Sequence, residues 1–153
     1  MGNIATNTKA SRDYIILETF EAGIVLKGTE VKSLRQGTAQ INDSFARIEN
    51  GEAFLYNAHI PEYSHGNREN HKPDAVRKLL LHKREIKRLE GLLSQKGLTL
   101  IPLAFYRKGP WVKVKLGLAK PRAKYDKRQL LKEREADRRI RQTLMHKLKR
   151  ASS

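Results

Sequence analysis

The sequence predicts a small, mainly β protein with flanking helices, its antiparallel strands closing into a barrel, followed by a basic C-terminal tail. Three observations lead there. Two hairpin signals, Asn50-Gly51 and Lys108-Gly109-Pro110, each sit between runs rich in apolar and β-branched residues. A long strand-like run from Tyr14 to Leu26 carries a glycine, Gly23, inside it. The positive charge is concentrated at the C-terminal end: from 119 to 153 there are 13 Lys+Arg against 4 Asp+Glu, while 1–118 holds 19 against 12.

The elements follow in order. Tyr14 to Leu26 is a strand, and Gly23 within it marks a bulge or sharp bend. Thr29 to Gln36 has helical chemistry, with Thr29 as cap, Val31 and Leu34 on one face, and Gly37 as terminator. Ile41 to Ile48 and Ala53 to Ile60 flank Asn50-Gly51, which accepts positive φ at both positions and so specifies a type I′ hairpin. Pro61 ends that strand, and Glu62 to Pro73 is a polar loop. Leu79 to Leu81 reads either as a short buried strand or as a helix start. Lys83 to Lys96 is a helix with Ile86, Leu89 and Leu93 on one face and Gly97 as its C′ residue. Leu98 to Arg107 and Trp111 to Leu118 form the second hairpin. In its later strand Val112, Val114, Leu116 and Leu118 point one way, and Trp111, Lys113 and Lys115 the other. Five or six antiparallel strands with a bent first strand suggest a small closed barrel of the OB type. A β-sandwich is the competing architecture.

The chain has 153 residues, enough for one domain plus an extension. The body is placed at 1–120 and the tail at 121–153. From Arg128 to Lys149 the tail holds strong helix formers, with Glu135–Arg139 and Asp137–Arg141 as i,i+4 pairs. Its apolar stripe (Leu130, Ile140, Leu144, Leu148) is thin, so the tail is expected to be disordered when free and helical on a polyanion.

Composition narrows the function classes. With 32 Lys+Arg against 16 Asp+Glu the net charge is +16, and such a chain attracts nucleic acid first and acidic lipid second. There is no cysteine, which removes disulfides and thiolate metal sites. No apolar run approaches the roughly 20 residues of a membrane span. Met1-Gly2 with Thr6 fits an N-myristoylation pattern, which chance also produces. No phosphate loop, nucleophile elbow or dinucleotide fingerprint is present. His59, His65 and His71 recur near a loop as conceivable zinc ligands, but without helical spacing or a carboxylate companion. Glu18, Glu21 and Glu30 are conceivable magnesium ligands, although Glu18 and Glu21 lie on opposite strand faces. The more economical reading is solvated loop histidines, surface carboxylates, and no metal or cofactor.

RNA contact is better supported. Trp111, Lys113 and Lys115 share one strand face, where an aromatic among cations can stack bases and neutralise phosphates. Lys32 and Arg35 project from the short helix, and Lys78 sits beside the Leu79 run. An ordinary solvated face is the alternative for each residue taken singly.

Seven ordered motifs carry a resemblance. They are Glu21-Ala-Gly-Ile-Val-Leu-Lys-Gly-Thr-Glu-Val-Lys-Ser-Leu-Arg35, Ile41-Asn-Asp-Ser-Phe45, Asn50-Gly-Glu-Ala53, Arg77-Lys-Leu-Leu-Leu81, Gly117-Leu-Ala-Lys120, Tyr125-Asp-Lys-Arg128 and Lys132-Glu-Arg-Glu135. From about Asn7 to Glu135 the chain resembles the SsrA-binding protein family, also called small protein B. The resemblance implies an OB-type barrel that binds the tRNA-like domain of transfer-messenger RNA. It implies delivery of that RNA, with elongation factor Tu bound through the shared RNA, to stalled ribosomes for trans-translation. It implies a cytoplasmic, monomeric RNA carrier that is not an enzyme and has no membrane association. By family position Asn7, Glu30, Leu80 and Lys113 look like members of the RNA-binding surface, and with Lys9, Lys32, Ser33, Arg35, Lys78, Trp111 and Lys115 they make up the expected RNA-binding set. Leu80 also has a core reading, Asn7 an anchoring one, and Glu30 can either accept from bases or position a neighbouring cation. In the tail, Tyr125, Asp126, Lys127 and Arg128 fall near the decoding centre. Lys132, Arg134, Arg138, Arg139 and Arg141 fall along the empty messenger channel. Two places depart from the family pattern. Pro121 and Ala123 stand where a glycine and a cation are common, and Thr8-Lys9 where Lys and Arg are common.

Overall fold

The computed structural model describes residues 3–64, 70–95, 97–122, 140–142 and 144. Within the described residues from 3 to 122, seven strands and three helices run in the order β1 (Asn3–Thr6), α1 (Ala10–Asp13), β2 (Tyr14–Ile24), α2 (Gly28–Arg35), β3 (Phe45–Glu49), β4 (Glu52–Tyr56), β5 (Arg77–Leu80), α3 (Lys83–Leu93), β6 (Thr99–Lys108) and β7 (Trp111–Pro121).

Every strand pairing is antiparallel, and the pairings return on themselves: β6 to β3, β4, β5, β2, β7 and back to β6, with β1 added along β6. Closure depends on β2, which is long enough to pair β7 from Tyr14 to Gly23 and still pair β5 at Gly23 and Ile24. The ladder slips at Leu17, between Ile16 and Glu18, not at Gly23. Gly23 has a different task. A Cβ there would stand 3.2 Å from the Leu80 Cβ, so the missing side chain is what lets β5 lie beside β2 at that point.

The turns form where turn chemistry stands. Asn50 and Gly51 have φ of 51° and 75°, which is the type I′ geometry, and Glu49 and Glu52 close the hairpin. Lys108 pairs Trp111 across Gly109-Pro110. The helix ends differ from expectation by a few residues. Lys27, not Thr29, is the N-cap of α2, because the Glu30 carboxylate accepts from the Lys27 N–H at 2.8 Å and closes the first turn. Thr29 instead shares a hydrogen bond with His71. The C-cap of α3 is Ser94 rather than a residue adjoining Gly97. The Leu79 run is the strand β5, and β1 and α1 are elements with no sequence forecast.

Inside the ring, Phe20, Leu34, Ile41, Leu55, Ile60, Leu79, Leu89, Leu100, Phe105, Val114, Leu116 and Leu118 form one core. Outside it, under α1, Ala10, Ile101 and Ala119 pack with Ile16 and Leu103. A Cβ on Gly117 would meet Leu103 at 3.0 Å and Ile16 at 3.2 Å, so this outer layer exists because β7 presents bare backbone there. No described helix is long and apolar enough to cross a membrane.

Candidate nucleic-acid interface

The strand registers assemble the site. Gly23 pairs Leu80 on one side and Lys113 on the other, and Lys113 pairs Tyr106. Four strands thus contribute one continuous outward row, Leu80–Gly23–Lys113–Tyr106. Two residues further along, just past the end of β2, Val25 donates its backbone N–H to the Lys78 carbonyl of β5 at 2.9 Å. Val25, Val76 and Leu80 are 53, 54 and 52 % exposed and Trp111 is 67 % exposed, so the row is flanked by apolar side chains that the core does not use. Leu80 is therefore a surface residue, and its core reading falls.

Charge on this face is arranged by Glu21, which lies opposite Lys115. Its carboxylate accepts from the Tyr106 hydroxyl at 2.5 Å and from Lys108 Nζ at 3.0 Å. The Tyr106 hydroxyl and then Lys108 hold the Glu21 carboxyl below its ordinary 4.5. Burial and the Glu21 hydrogen bond push the Tyr106 phenol up to about 12. Glu21 thus stays ionised at neutral pH and offsets Lys108. Among the described residues Lys113 and Lys115 have no carboxylate within 4.0 Å, so their charge remains available to a polyanion.

Other expected cations are partly engaged. Lys78 reaches Glu52 at 3.1 Å, and Lys9 reaches Asp43 at 3.4 Å. Both pairs are exposed and cost little to open. Lys32 lies 5.6 Å from the Tyr63 ring centre, and Arg35 is exposed on α2.

Three expected residues point inward. Asn7, Glu30 and Ser33 are 7, 4 and 1 % exposed. Asn7 donates to the Pro102 carbonyl at 2.9 Å and accepts from the Lys9 N–H at 3.1 Å, turning the chain from β1 into α1. Ser33 donates to the Pro61 carbonyl at 2.6 Å. Glu30 forms a buried ion pair with Arg77, which also donates to the carbonyls of Ala58 at 2.7 Å and Pro73 at 2.9 Å. Of the two roles open to Glu30, this geometry is that of positioning a cation. Glu30 fixes the start of β5, whose other end carries Leu80.

Several of the residues weighed as metal ligands have protein partners. Glu18 pairs Arg88 at 2.7 Å, and His59 pairs Asp74 at 2.9 Å. His71 is buried between Thr29 and the Ile60 carbonyl. Among the described residues no group of three or more His, Cys, Asp or Glu could hold a metal ion. His65 and the lipidation site at Gly2 lie outside the described residues, as do Tyr125, Asp126, Lys127, Arg128, Lys132, Arg134, Arg138 and Arg139. Arg141 is described, and its Nη2 donates to the Ile16 carbonyl at 2.6 Å.

Sequence reasoning missed Tyr106, Val25 and Val76. Tyr106 was within reach: once Lys108 pairs Trp111, the hairpin register sets Tyr106 opposite Lys113. The valines gave no signal, since an exposed valine looks like a core valine in sequence.

Residues 4–146 match the family SmpB protein. The chain belongs to this family. It is 59 % identical over 141 residues to the SsrA-binding protein of Carboxydothermus hydrogenoformans, which covers 92 % of this chain and 95 % of that one. It is 55 % identical to the SsrA-binding protein of Geobacter sulfurreducens over 146 residues, 95 % of each chain. Among solved structures it is similar to a chain of "tmRNA-SmpB: a journey to the center of the bacterial ribosome". The TM-score is 0.67 and the identity 53 %, over 80 % of this chain and 86 % of that one. Family membership accounts for the mainly antiparallel sheet with a few helices.

Proposed function

We propose that this chain is an RNA carrier of trans-translation. Its closed sheet, which we read as a barrel of the OB type, binds the tRNA-like domain of transfer-messenger RNA. Its tail engages the decoding centre and empty messenger channel of stalled ribosomes. Elongation factor Tu joins through the shared RNA, the setting is the cytoplasm, and the chain positions RNA rather than catalysing a reaction. The observation that carries the reading is the 59 % identity, over nearly the whole chain, to a protein named for binding SsrA RNA.

The outward row suits that task. Lys113 and Lys115 neutralise phosphates, while Trp111, Tyr106 and Leu80 offer flat or apolar surface to unstacked nucleotides. Lys9, Lys32, Arg35 and Lys78 extend the cationic surface. Asn7, Glu30 and Ser33 serve it from beneath by fixing backbone. Tyr125 to Arg128 and the tail cations Lys132, Arg134, Arg138, Arg139 and Arg141 form the ribosomal part.

The test is deletion of 123–153. The cut preserves the Tyr14–Pro121 pairing and the bond from the Arg122 N–H to the Asp13 carbonyl at 2.8 Å. The truncated chain is expected to bind tRNA-like RNA within a few-fold of the full chain and to fail in tagging on stalled ribosomes. Because the cut also removes Leu144 from the core, loss of RNA binding by a truncated chain that keeps its circular dichroism and cooperative unfolding would refute this division of labour. Equal affinity for unstructured oligonucleotides would favour a general single-strand module.

A further inference from the structure

A carboxylate stands in the middle of the cationic face. Glu21 is on β2 and its partners Tyr106 and Lys108 are on β6, yet β2 and β6 are not neighbours, because β7 runs between them. The registers set Lys115 beside Glu21 and Lys113 beside Tyr106. The Glu21–Tyr106 hydrogen bond therefore crosses the outer face of β7 between these two lysines. Alternate residues on a strand stand roughly 7 Å apart, so one anionic point is flanked by two cationic ones within that span. The exposed Glu21–Lys108 pair adds little to stability. Holding Lys108 is thus a weak reason for a carboxylate at the centre of a surface that takes a polyanion.

The geometry points to Glu21 as a specificity-determining residue of the RNA-binding face: a fixed negative charge over β7 that keeps phosphate off the centre of the face and accepts a hydrogen bond from an uncharged donor of the RNA. This role rests on the RNA-carrier reading given above. Phosphates are admitted at Lys113 and Lys115, on either side. Over Glu21 only a ribose hydroxyl or a base amino or imino group fits, since each can donate and none is negative. The carboxylate has room for it: Tyr106 donates to Oε2, Lys108 Nζ lies 3.0 Å from Oε1 and 3.3 Å from Oε2, and an ionised carboxyl has about four acceptor sites. Tyr106 and Lys108 hold the carboxylate in place before RNA arrives, so little ordering is needed on binding. A structured RNA can bring a donor to that fixed point. A flexible strand, following its phosphates along the lysines, meets repulsion there, so Glu21 acts against the wrong RNA more than for the right one.

Glu21→Gln in the full chain tests the role, with Glu90→Gln removing the same charge from the exposed side of α3. Affinities for a tRNA-like RNA and for an unstructured oligoribonucleotide of equal length are read by fluorescence titration over a salt series. Glu21→Gln is expected to bind the unstructured strand about tenfold more tightly, because the like charge is gone. Its slope of log affinity against log salt should steepen by about 1 as Lys108 becomes free for a phosphate. Affinity for the tRNA-like RNA should stay within about twofold, so preference for it falls several-fold. Glu90→Gln should leave that preference unchanged. A preference unmoved by Glu21→Gln, or lowered equally by Glu90→Gln, would overturn the role. A fall that comes only from weaker tRNA-like binding would overturn the exclusion of phosphate. A wild-type chain with no preference for tRNA-like RNA would overturn the RNA-carrier reading and this role with it, so the wild-type titration tells the two failures apart.

Discussion

Glu30 and Arg77 form an ion pair sealed from water, with side chains 5 % and 2 % exposed. Removing one partner leaves the other charge buried and uncompensated, which costs about 3–5 kcal/mol. Glu30→Ala is therefore expected to lower unfolding free energy by about that amount in denaturant titration, with RNA affinity per folded molecule changed much less. A stable variant with lost RNA affinity would make Glu30 a direct contact instead.

Leu80 and Lys113 behave in the opposite way, because they flank Gly23 on the surface. Leu80→Ala should lower stability by no more than about 1 kcal/mol, since half of the residue is exposed. RNA affinity is expected to fall by about tenfold, or 1.4 kcal/mol. Lys113→Ala should weaken binding across sequences and lower the slope of log affinity against log salt by about 1. Fluorescence titrations across a salt series measure both.

The two tight glycines separate fold from site. Gly117→Ala drives a Cβ to 3.0 Å from Leu103, within a packed layer, and is expected to cost about 1–3 kcal/mol. Gly23→Ala presses on Leu80, which is half exposed and can yield, so thermal stability should fall less and RNA affinity more. Equal loss of stability from both would place Leu80 in the packing rather than in the site.

The Glu21–Tyr106 bond gives the fold two pH limits. Glu21 titrates below its ordinary 4.5 in the folded chain, so its contribution is present above that pH and is lost as pH falls through the lowered value. Tyr106 titrates near 12 against an ordinary 10, so its contribution is complete below pH 10 and is lost as pH rises from 10 to about 12. Tyr106→Phe should remove the alkaline limit and move the Glu21 titration upward, read by carboxyl NMR. A Glu21 midpoint that stays put would mean that Lys108 and Lys113 set it without the hydroxyl.

Local chemistry was legible from the sequence. Asn50-Gly51 and Gly109-Pro110 specify their turns through backbone preference, and β7 shows its two faces because side chains alternate along any strand. The ordered motifs from Glu21 to Glu135 identified the family. The short elements β1 and α1 were not legible: four residues show no periodicity, and β1 exists because β6, a hundred residues away, offers an edge. The inward turn of Asn7, Glu30 and Ser33 was hidden for the same reason. A polar side chain is buried only where distant carbonyls or an Arg77 await it, and that is decided by the closed sheet. The cationic surface with its basic tail belongs to composition and can be read residue by residue. Whether Leu80 faces water, whether Glu30 touches RNA or Arg77, and where Arg141 spends its hydrogen bond were settled by strand register and packing, which bring together residues that no local pattern connects.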